Sequence, residues 1–255
     1  MKISGKISRL RSASELAQLS VVLVSTRNPL NIGAVARAMS NFGFSSLRLV
    51  KPFEPSFREA RSAVGAAELL ASAQEYQGIP DAVADCSLVV GTTALQNRQL
   101  RHTVHGLENA STLIHDQLKS GRVALLFGSE KVGLSNQDLS HCHWLLHIPT
   151  REEHVSMNLG QAVAVSLYEL VRNCDAKKPL SPLLPQEHAA ATMADIDRLT
   201  ALWQETLHAS GYLKPGTDVA GEEKLRRMLH RLNVPEEDAQ VWLGMMRQVL
   251  WKLKH

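Results

Sequence analysis

The sequence lacks the features of an exported or membrane-spanning protein. Its three cysteines, Cys86, Cys142 and Cys174, are scattered without a C-x-x-C pair, which excludes a disulfide framework and a cysteine-based zinc site. No apolar run reaches the length of a membrane span, and residues 1–20 lack the apolar core of a signal peptide. We therefore expect a reduced, cytoplasmic protein without membrane contact.

An excess of charge is also missing from most of the chain. The formal net charge is +3, and it resides in a basic leader, residues 1–20, where four lysines and arginines stand against Glu15. The rest of the chain is neutral, so net charge by itself does not indicate a nucleic-acid-binding protein. The leader could contact RNA or remain a solvated tail, and the sequence leaves both open.

The apolar residues predict the organisation of the chain. They make up 44% of 255 residues, enough for a substantial core. In residues 21–174, strand-length apolar runs alternate with helical patterns, which predicts an α/β fold with a mostly parallel sheet. Three prolines in residues 175–188 indicate a linker, and residues 189–255 show helical periodicity alone, which predicts a small all-α domain.

Three polar segments follow predicted strands. They run from Asn31 to Arg37, from Phe127 to Leu134, and from Ile148 to Leu159. Loops at the carboxyl ends of strands in α/β sheets bind ligands, so we expect these segments to form one composite site. The second is not a nucleotide-hydrolysing P-loop, because Leu134 stands where that motif requires lysine.

Several polar side chains leave more than one interpretation open. His141, His143 and His147 lack a partner cluster with metal-ligand spacing, so we expect surface or packing histidines and no metal. Arg37 interrupts an apolar helix, where it could lie along the surface or aim at a phosphate or carboxylate. Two basic groups suit either RNA contact or a solvated surface. They are Arg98 and Arg101 with His102 and His105, and Lys224, Arg226, Arg227 and Arg231.

Together the three segments resemble the SpoU/TrmH ribose 2′-O-methyltransferases of the SPOUT, or α/β-knot, superfamily. The first family motif is matched by Asn31, Arg37 and Phe42-Gly43, and the second, Phe-Gly-x-Glu-x-x-Gly-Leu, by the end of the segment Val123 to Leu134. The third is matched by Ile148-Pro149 with Ser156 to Leu159, where Met157 replaces a common leucine. The resemblance covers residues 21–173.

Within the family the chain is similar to the TrmJ type, which methylates the ribose of nucleotide 32 in the tRNA anticodon loop. Gly91-Thr-Thr-Ala94 with Arg98 supports this, as does a helical region that follows the catalytic domain. Two alternatives remain: the same chemistry on ribosomal RNA, or a non-catalytic RNA-binding protein of this fold. Many other SpoU-type enzymes carry their additional RNA-binding domain in front.

The resemblance implies further properties. They are a deep C-terminal trefoil knot, S-adenosylmethionine as methyl donor, a tRNA substrate, and a homodimer through the knot in which Arg37 reaches the partner's cofactor. The positions that correspond to cofactor-binding residues are Thr92, Thr93, Ala94, Gly128, Ile148, Ser156, Met157 and Asn158. Arg37 would act in catalysis, oriented by Asn31, Glu130, Ser156 and Asn158, and the general base stays unidentified. The RNA-binding candidates are Arg98, Arg101, Lys224, Arg226, Arg227 and Arg231.

Overall fold

A computed structural model describes residues 13–52, 63–94, 102–151, 153, 155–172, 189–213 and 218–255. Most of the basic leader, the two arginines Arg98 and Arg101, and the linker at 175–188 lie outside these residues. The expectations for those segments therefore stay predictions.

The core of the protein is a single sheet of seven strands, in the order β3-β2-β1-β6-β4-β7-β5. Every pairing is parallel, which confirms the expected α/β fold. The central strands are fully buried runs of valine and leucine, because helices cover both faces. The strands are β1 Leu19–Val24, β2 Ser46–Val50, β3 Gln74–Tyr76, β4 Leu88–Thr93, β5 Val104–Gly106, β6 Val123–Phe127 and β7 Trp144–His147.

The two edge strands were not predicted from the sequence. Each is three residues long and has no apolar run, since an edge strand is only partly buried. As a result the first two residues of β5 lie in the segment from Thr92 to His105, for which the sequence predicts a polar loop. The first strand also begins earlier than expected, at Leu19, within the segment assigned to the leader.

Helices pack on both faces of the sheet. On one face, α2, α3, α5 and α7 share a large apolar cluster with the strands, and the opposite cluster contains side chains of α4 and α6. The helices are α1 Ala13–Leu16, α2 Pro29–Phe42, α3 Ala67–Ala71, α4 Ile79–Val83, α5 Leu107–Gln117, α6 Asn136–Leu139, α7 Leu159–Arg172, α8 Met193–Ala209, α9 Asp218–Leu232 and α10 Glu236–Lys254. None in the described part of the chain is long and apolar enough to cross a membrane.

The apolar pattern predicts that helix α2 starts at Gly33. In the structure it starts at Pro29, about one turn earlier. The Asn28 side chain caps it by accepting a hydrogen bond of 2.9 Å from the Leu30 amide, and Pro29 occupies the first turn. Asparagine as the cap and proline just after it are favoured because they suit the free amides and the backbone angle of a helix start. Asn31 therefore lies in the first turn of α2 rather than in a loop.

A close approach between α2 and α7 positions the first turn of α7. A Cβ atom added at Gly160 would lie 2.9 Å from the Cβ of Ala34, closer than such atoms can approach. The absence of a side chain at Gly160 therefore allows the two helices to meet at this point. Asn158, just before α7, is thereby brought next to Asn31 in α2.

The three C-terminal helices share an apolar cluster of their own, which includes Leu199, Leu229 and Leu243. They also attach to the sheet body. Met193, at the start of α8, is fully buried in the second sheet cluster, and its amide donates a hydrogen bond of 2.7 Å to the Cys86 carbonyl.

A group of histidines fills the contact between α9 and the sheet body. The rings of His143 and His230 have centroids 4.8 Å apart, and the Val89 amide donates a 3.0 Å hydrogen bond to Nδ1 of His143. Burial lowers the pKa of His141 to about 4, assisted by the charge of Arg226, and burial lowers the pKa of His143 to about 4. The pKa of His230 is also well below its ordinary value, through burial and then through its histidine and arginine neighbours.

These histidines pack as neutral side chains, as expected for His141 and His143. Among the described residues, no group of three or more His, Cys, Asp or Glu side chains is arranged to hold a metal ion.

We predict that acidification loosens this contact. Folding lowers the pKa of these histidines, so the unfolded chain binds protons more tightly and protons favour unfolding. The stabilisation should be complete above about pH 6.5 and should fall towards pH 4, by up to about 1.4 kcal/mol per pH unit for each histidine. Urea unfolding between pH 7.5 and 5 measures this dependence.

The matched variants are His230→Leu and His255→Leu. Loss of His230 should reduce the pH dependence of the free energy of unfolding, whereas loss of His255, at the exposed C-terminus, should preserve it. An equal slope in His230→Leu and in the unaltered chain would contradict the assignment.

Candidate active site

The cavity that carries the predicted site lies at the carboxyl ends of β4, β6 and β7. Its volume is about 540 Å³, within the range usual for small-molecule sites. Strand β4 lies between β6 and β7, so the segments that follow these three strands meet at one edge of the sheet. Ligands bind at such edges in parallel α/β sheets.

The structure brings seven of the eight predicted cofactor positions to the wall of this cavity. They are Thr92, Thr93, Ala94, Gly128, Ile148, Ser156 and Met157. The eighth, Asn158, lies next to them at the start of α7. The segments Phe127 to Leu134 and Ile148 to Leu159 thus line a single cavity together with the end of β4, whereas no residue from Asn31 to Arg37 is among the described lining residues.

Two polar contacts hold the carboxyl end of β4 at the cavity. The Thr92 hydroxyl donates a hydrogen bond of 2.9 Å to the Leu126 carbonyl on β6. The Thr93 carbonyl lies 3.2 Å from Nδ1 of His147 on β7. Because its hydroxyl proton is already engaged, the Thr92 side chain can serve a ligand only as a hydrogen-bond acceptor.

The loop from Gly128 to Leu134 folds tightly on itself. The Gly133 amide donates a 2.8 Å hydrogen bond to the Ser129 carbonyl, and Gly133 has a φ of 68°, which favours glycine. A Cβ at Gly128 would lie only 2.0 Å from the carbonyl carbon of Gly133. A glycine here would allow a ligand to approach the backbone closely, and the structure adds a stronger reason for Gly128 within the loop itself.

The carboxylate of Glu130 joins this loop to the start of α2. It accepts hydrogen bonds from the backbone amides of Arg27, at 3.2 Å, and Asn28, at 3.3 Å. It also accepts a 2.8 Å bond from Nδ2 of Asn31. Glu130 therefore does not cap the helix that follows it, since Ser135 and Asp138 cap α6 reciprocally.

Asn31 extends this connection to the third segment. Its Oδ1 accepts a 3.2 Å hydrogen bond from Nδ2 of Asn158, and Oδ1 of Asn158 accepts a 2.9 Å bond from the Gly160 amide at the start of α7. One chain of hydrogen bonds thus connects all three motif segments through Glu130, Asn31 and Asn158.

The charge of Glu130 follows from these contacts. Partial burial raises its pKa, but hydrogen bonds from the Asn31 side chain and from backbone amides outweigh burial, and the pKa is lowered overall. The side chain is therefore an ionised hydrogen-bond acceptor at neutral pH.

Arg37 lies six residues after Asn31 in α2, and its side chain is exposed. It is not among the described residues that line the cavity of its own chain. Ser156, by contrast, is exposed at the cavity wall. The structure therefore joins Asn31, Glu130 and Asn158 by hydrogen bonds, places Glu130 and Ser156 at the cavity wall, and leaves Arg37 exposed.

The basic residues of α9 fall into two kinds. Lys224 and Arg231 are exposed. Arg226 instead donates a 3.2 Å hydrogen bond to the Ser140 hydroxyl in the sheet body, and Arg227 forms an ion pair of 3.2 Å with Glu223. Arg226 therefore helps to hold α9 on the sheet body.

Some contributors to the site were missed from the sequence. The backbone amides of Arg27 and Asn28 carry no side-chain signal, although the pair Asn28-Pro29 could have marked the helix start. Lys131, Thr150 and Val155 also line the cavity. Their recognition required the loop conformation.

Comparison with known proteins identifies the family of the chain. Residues 18–168 match the model of the SpoU rRNA Methylase family. The tRNA (cytidine/uridine-2′-O-)-methyltransferase TrmJ of Klebsiella pneumoniae is 32% identical over 92% of this chain and 97% of that protein. The enzyme of the same name from Yersinia enterocolitica is 30% identical over 92% of each chain. The crystal structure of TrmJ from Z. mobilis ZM4 superposes with a TM-score of 0.76 at 29% identity, covering 92% of this chain and 99% of that one. The chain therefore belongs to the SpoU rRNA methylase family and is a methyltransferase.

Proposed function

We propose that this protein is an S-adenosylmethionine-dependent tRNA ribose 2′-O-methyltransferase that acts on nucleotide 32 of the anticodon loop. The observation that carries the proposal is the chain of hydrogen bonds through Glu130, Asn31 and Asn158, which joins the first motif segment to the two segments that line the cavity. The relatives that are named tRNA methyltransferases support tRNA as the substrate. Nucleotide 32 is the target of the TrmJ type that the sequence resembles.

The cavity suits S-adenosylmethionine in size and composition. Its wall combines apolar side chains, among them Leu134, Ile148 and Ala162, with polar groups at Thr93 and Ser156. Such a wall fits a ligand with a planar base and an amino-acid end, and the backbone around Gly128 and Met157 is available for hydrogen bonds. When bound, S-adenosylmethionine supplies an activated methyl group.

The protein's own residues position the ribose hydroxyl and its phosphate. Glu130 is better suited to orienting Asn31 than to removing a proton, because three hydrogen bonds already stabilise its charged form. The planar guanidinium of Arg37 is suited to anchoring a phosphate beside the target ribose, and we assign it that role rather than the role of base. Ser156 and Asn158 complete the surroundings of the hydroxyl.

The exposed position of Arg37 favours a homodimer. Exposed apolar side chains accompany it on α2 and α7, namely Leu30, Val165 and Tyr168. Pairing through this surface would bury them and bring Arg37 to the partner's cavity. We further propose that the C-terminal part of the catalytic domain forms the trefoil knot typical of the superfamily.

The remaining assignments concern domains and location. We assign residues 21–174 to catalysis, 175–188 to a linker and 189–255 to a helical RNA-binding domain. The separate apolar cluster of α8, α9 and α10 supports this division, and the exposed Lys224 and Arg231 provide positive charge for phosphates. A tRNA substrate favours the cytoplasm as the site of action.

Methyl transfer to RNA tests the function directly. With tritiated S-adenosylmethionine, the unaltered protein should label tRNA at the 2′-hydroxyl of nucleotide 32, as mapped by nuclease digestion and mass spectrometry. Arg37→Ala should lose at least about 100-fold in rate, because a misplaced reactant has that cost. Arg37→Lys should also be slow, since lysine lacks the planar fork.

In the same assay, Arg247→Ala, an exposed arginine on α10, is the control and should retain full activity. Cofactor affinity measured by calorimetry should not change in any of these variants. Labelling of ribosomal RNA instead of tRNA would favour the alternative substrate, and binding of RNA without transfer would favour a non-catalytic role.

Cofactor binding should depend on Gly128. We expect Gly128→Ala to lose most S-adenosylmethionine affinity, because the new Cβ would collide with the backbone at Gly133 and displace the loop. Gly106→Ala is the matched control, since a Cβ there meets nothing within 4 Å. Calorimetry on folded samples measures both, and unchanged affinity in Gly128→Ala would remove this loop from the cofactor site.

RNA binding should depend on the exposed cations of α9. The variant Lys224→Ala/Arg231→Ala should weaken tRNA binding and reduce the dependence of log affinity on log salt by roughly 1 for each lost phosphate contact. Lys119→Ala, at an exposed lysine on the other side of the sheet body, should leave both unchanged. Filter binding at several salt concentrations decides this, and an unchanged salt slope in the double variant would contradict a role for α9.

A further inference from the structure

We propose that helix α10 pairs antiparallel with α10 of a second copy of this chain, about a twofold axis at Met245. This inference goes beyond the proposed function. It concerns a surface on the C-terminal helices, away from the cavity, and requires no methyl transfer.

Helix α10 is apolar on two sides. One side is buried in the helical cluster through Ala239 and Leu243, and Leu250 is buried as well. The other side carries an exposed stripe in which Val241 is 58% exposed, Met245 50%, Val249 43% and Leu253 44%. Residues four apart lie on one face of a helix. A helix that is apolar beyond its buried side has a second surface to cover.

The charges of α10 specify what covers the stripe. Its first turn is acidic, with Glu236, Glu237 and Asp238, and its last turn is basic, with Lys252 and Lys254. Asp238 and Lys252 each lie seven residues from Met245, which is two helical turns, so both share its face. The stripe therefore has an acidic group at one end and a basic group at the other.

An antiparallel second copy matches this pattern at Val241, Met245 and Val249, whereas Leu253, eight residues from the axis, faces Glu237 of the partner subunit. With Met245 on the twofold axis, Val241 faces Val249 of the partner subunit, because each lies four residues from the axis. Asp238 likewise faces Lys252 of the partner subunit. Symmetric pairing of this kind uses one surface on both chains, as isologous interfaces do.

Other occupants fit less well. A parallel pair would set Asp238 against the same residue of the partner subunit, and like charges repel. An RNA backbone would meet the three acidic residues of the first turn. Acidic first turns and basic last turns also suit the helix dipole, so the charges alone would not identify a partner. Asp238 and Lys252 lie on the same face as the apolar residues Val241, Met245 and Val249, and all five are placed symmetrically about Met245, which points to a second copy of the helix.

Disulfide formation in the full chain tests the axis. We would replace Cys174 by serine, so that buried Cys86 and Cys142 are the remaining native thiols, and introduce Met245→Cys. Two such residues on a twofold axis between packed helices come within disulfide range. Mild oxidation should convert most of the protein into a covalent dimer on a non-reducing gel. Arg247→Cys, exposed on α10 but about 200° around the helix, should cross-link at least about five-fold less.

Charge exchange tests the orientation. In the Met245→Cys protein, Asp238→Lys or Lys252→Asp alone should reduce cross-linking several-fold, because like charges would then face each other. The combined Asp238→Lys/Lys252→Asp variant should restore it. Circular dichroism should show that all variants keep their helices.

Three outcomes would overturn the proposal: equal cross-linking at positions 245 and 247, no recovery in the double charge variant, or protection of the cysteine at position 245 by tRNA. The last would assign the stripe to RNA. None depends on enzymatic activity, so failure here is distinguishable from failure of the proposed function.

Discussion

The hydrogen bond from Asn31 to Glu130 is the contact on which the arrangement of the site depends. It joins the first turn of α2 to the loop after β6, about a hundred residues later in the chain. The same asparagine accepts a bond from Asn158, which caps α7. Because all three residues satisfy one another, displacing any of them leaves polar groups unpaired near the cavity, and such groups are costly. The network therefore orients the loops that form the cavity wall.

This network requires that the two helices that carry it lie close together. Gly160 meets Ala34 where α2 and α7 approach, and a side chain at Gly160 would separate them. The sheet below supplies the second constraint, since β6, β4 and β7 are neighbours and their ends present Gly128, Thr93 and Ile148 to one cavity. Close helix packing and strand order together place small residues and backbone groups where a ligand is expected.

The C-terminal helices form an apolar cluster of their own and also pack against the sheet body. Leu199 and Leu229 pack in the apolar cluster of the C-terminal helices, whereas Met193 is buried in the second apolar cluster of the sheet body. The histidine contact at His143 and His230, with Arg226 bonded to Ser140, adds polar groups to that attachment. Movement of the helices relative to the catalytic body would have to break these contacts, so the RNA-binding surface proposed for α9 is held in a defined position.

The sequence alone determined the sheet, most of its strands, the three motif segments and the family, since continuous apolar runs and fixed motif spacings are local properties that a reader can recognise. It did not predict the edge strands β3 and β5, because three-residue strands gain their order from a neighbour rather than from their own composition. It also could not predict that Glu130 accepts a hydrogen bond from Asn31, that the Gly133 backbone leaves no room for a side chain at position 128, or that Arg226 holds α9 on the sheet body. Those contacts join residues distant in the chain, and only the packing of β4, β6 and β7 with α2 and α7 brings them within hydrogen-bonding or van der Waals distance.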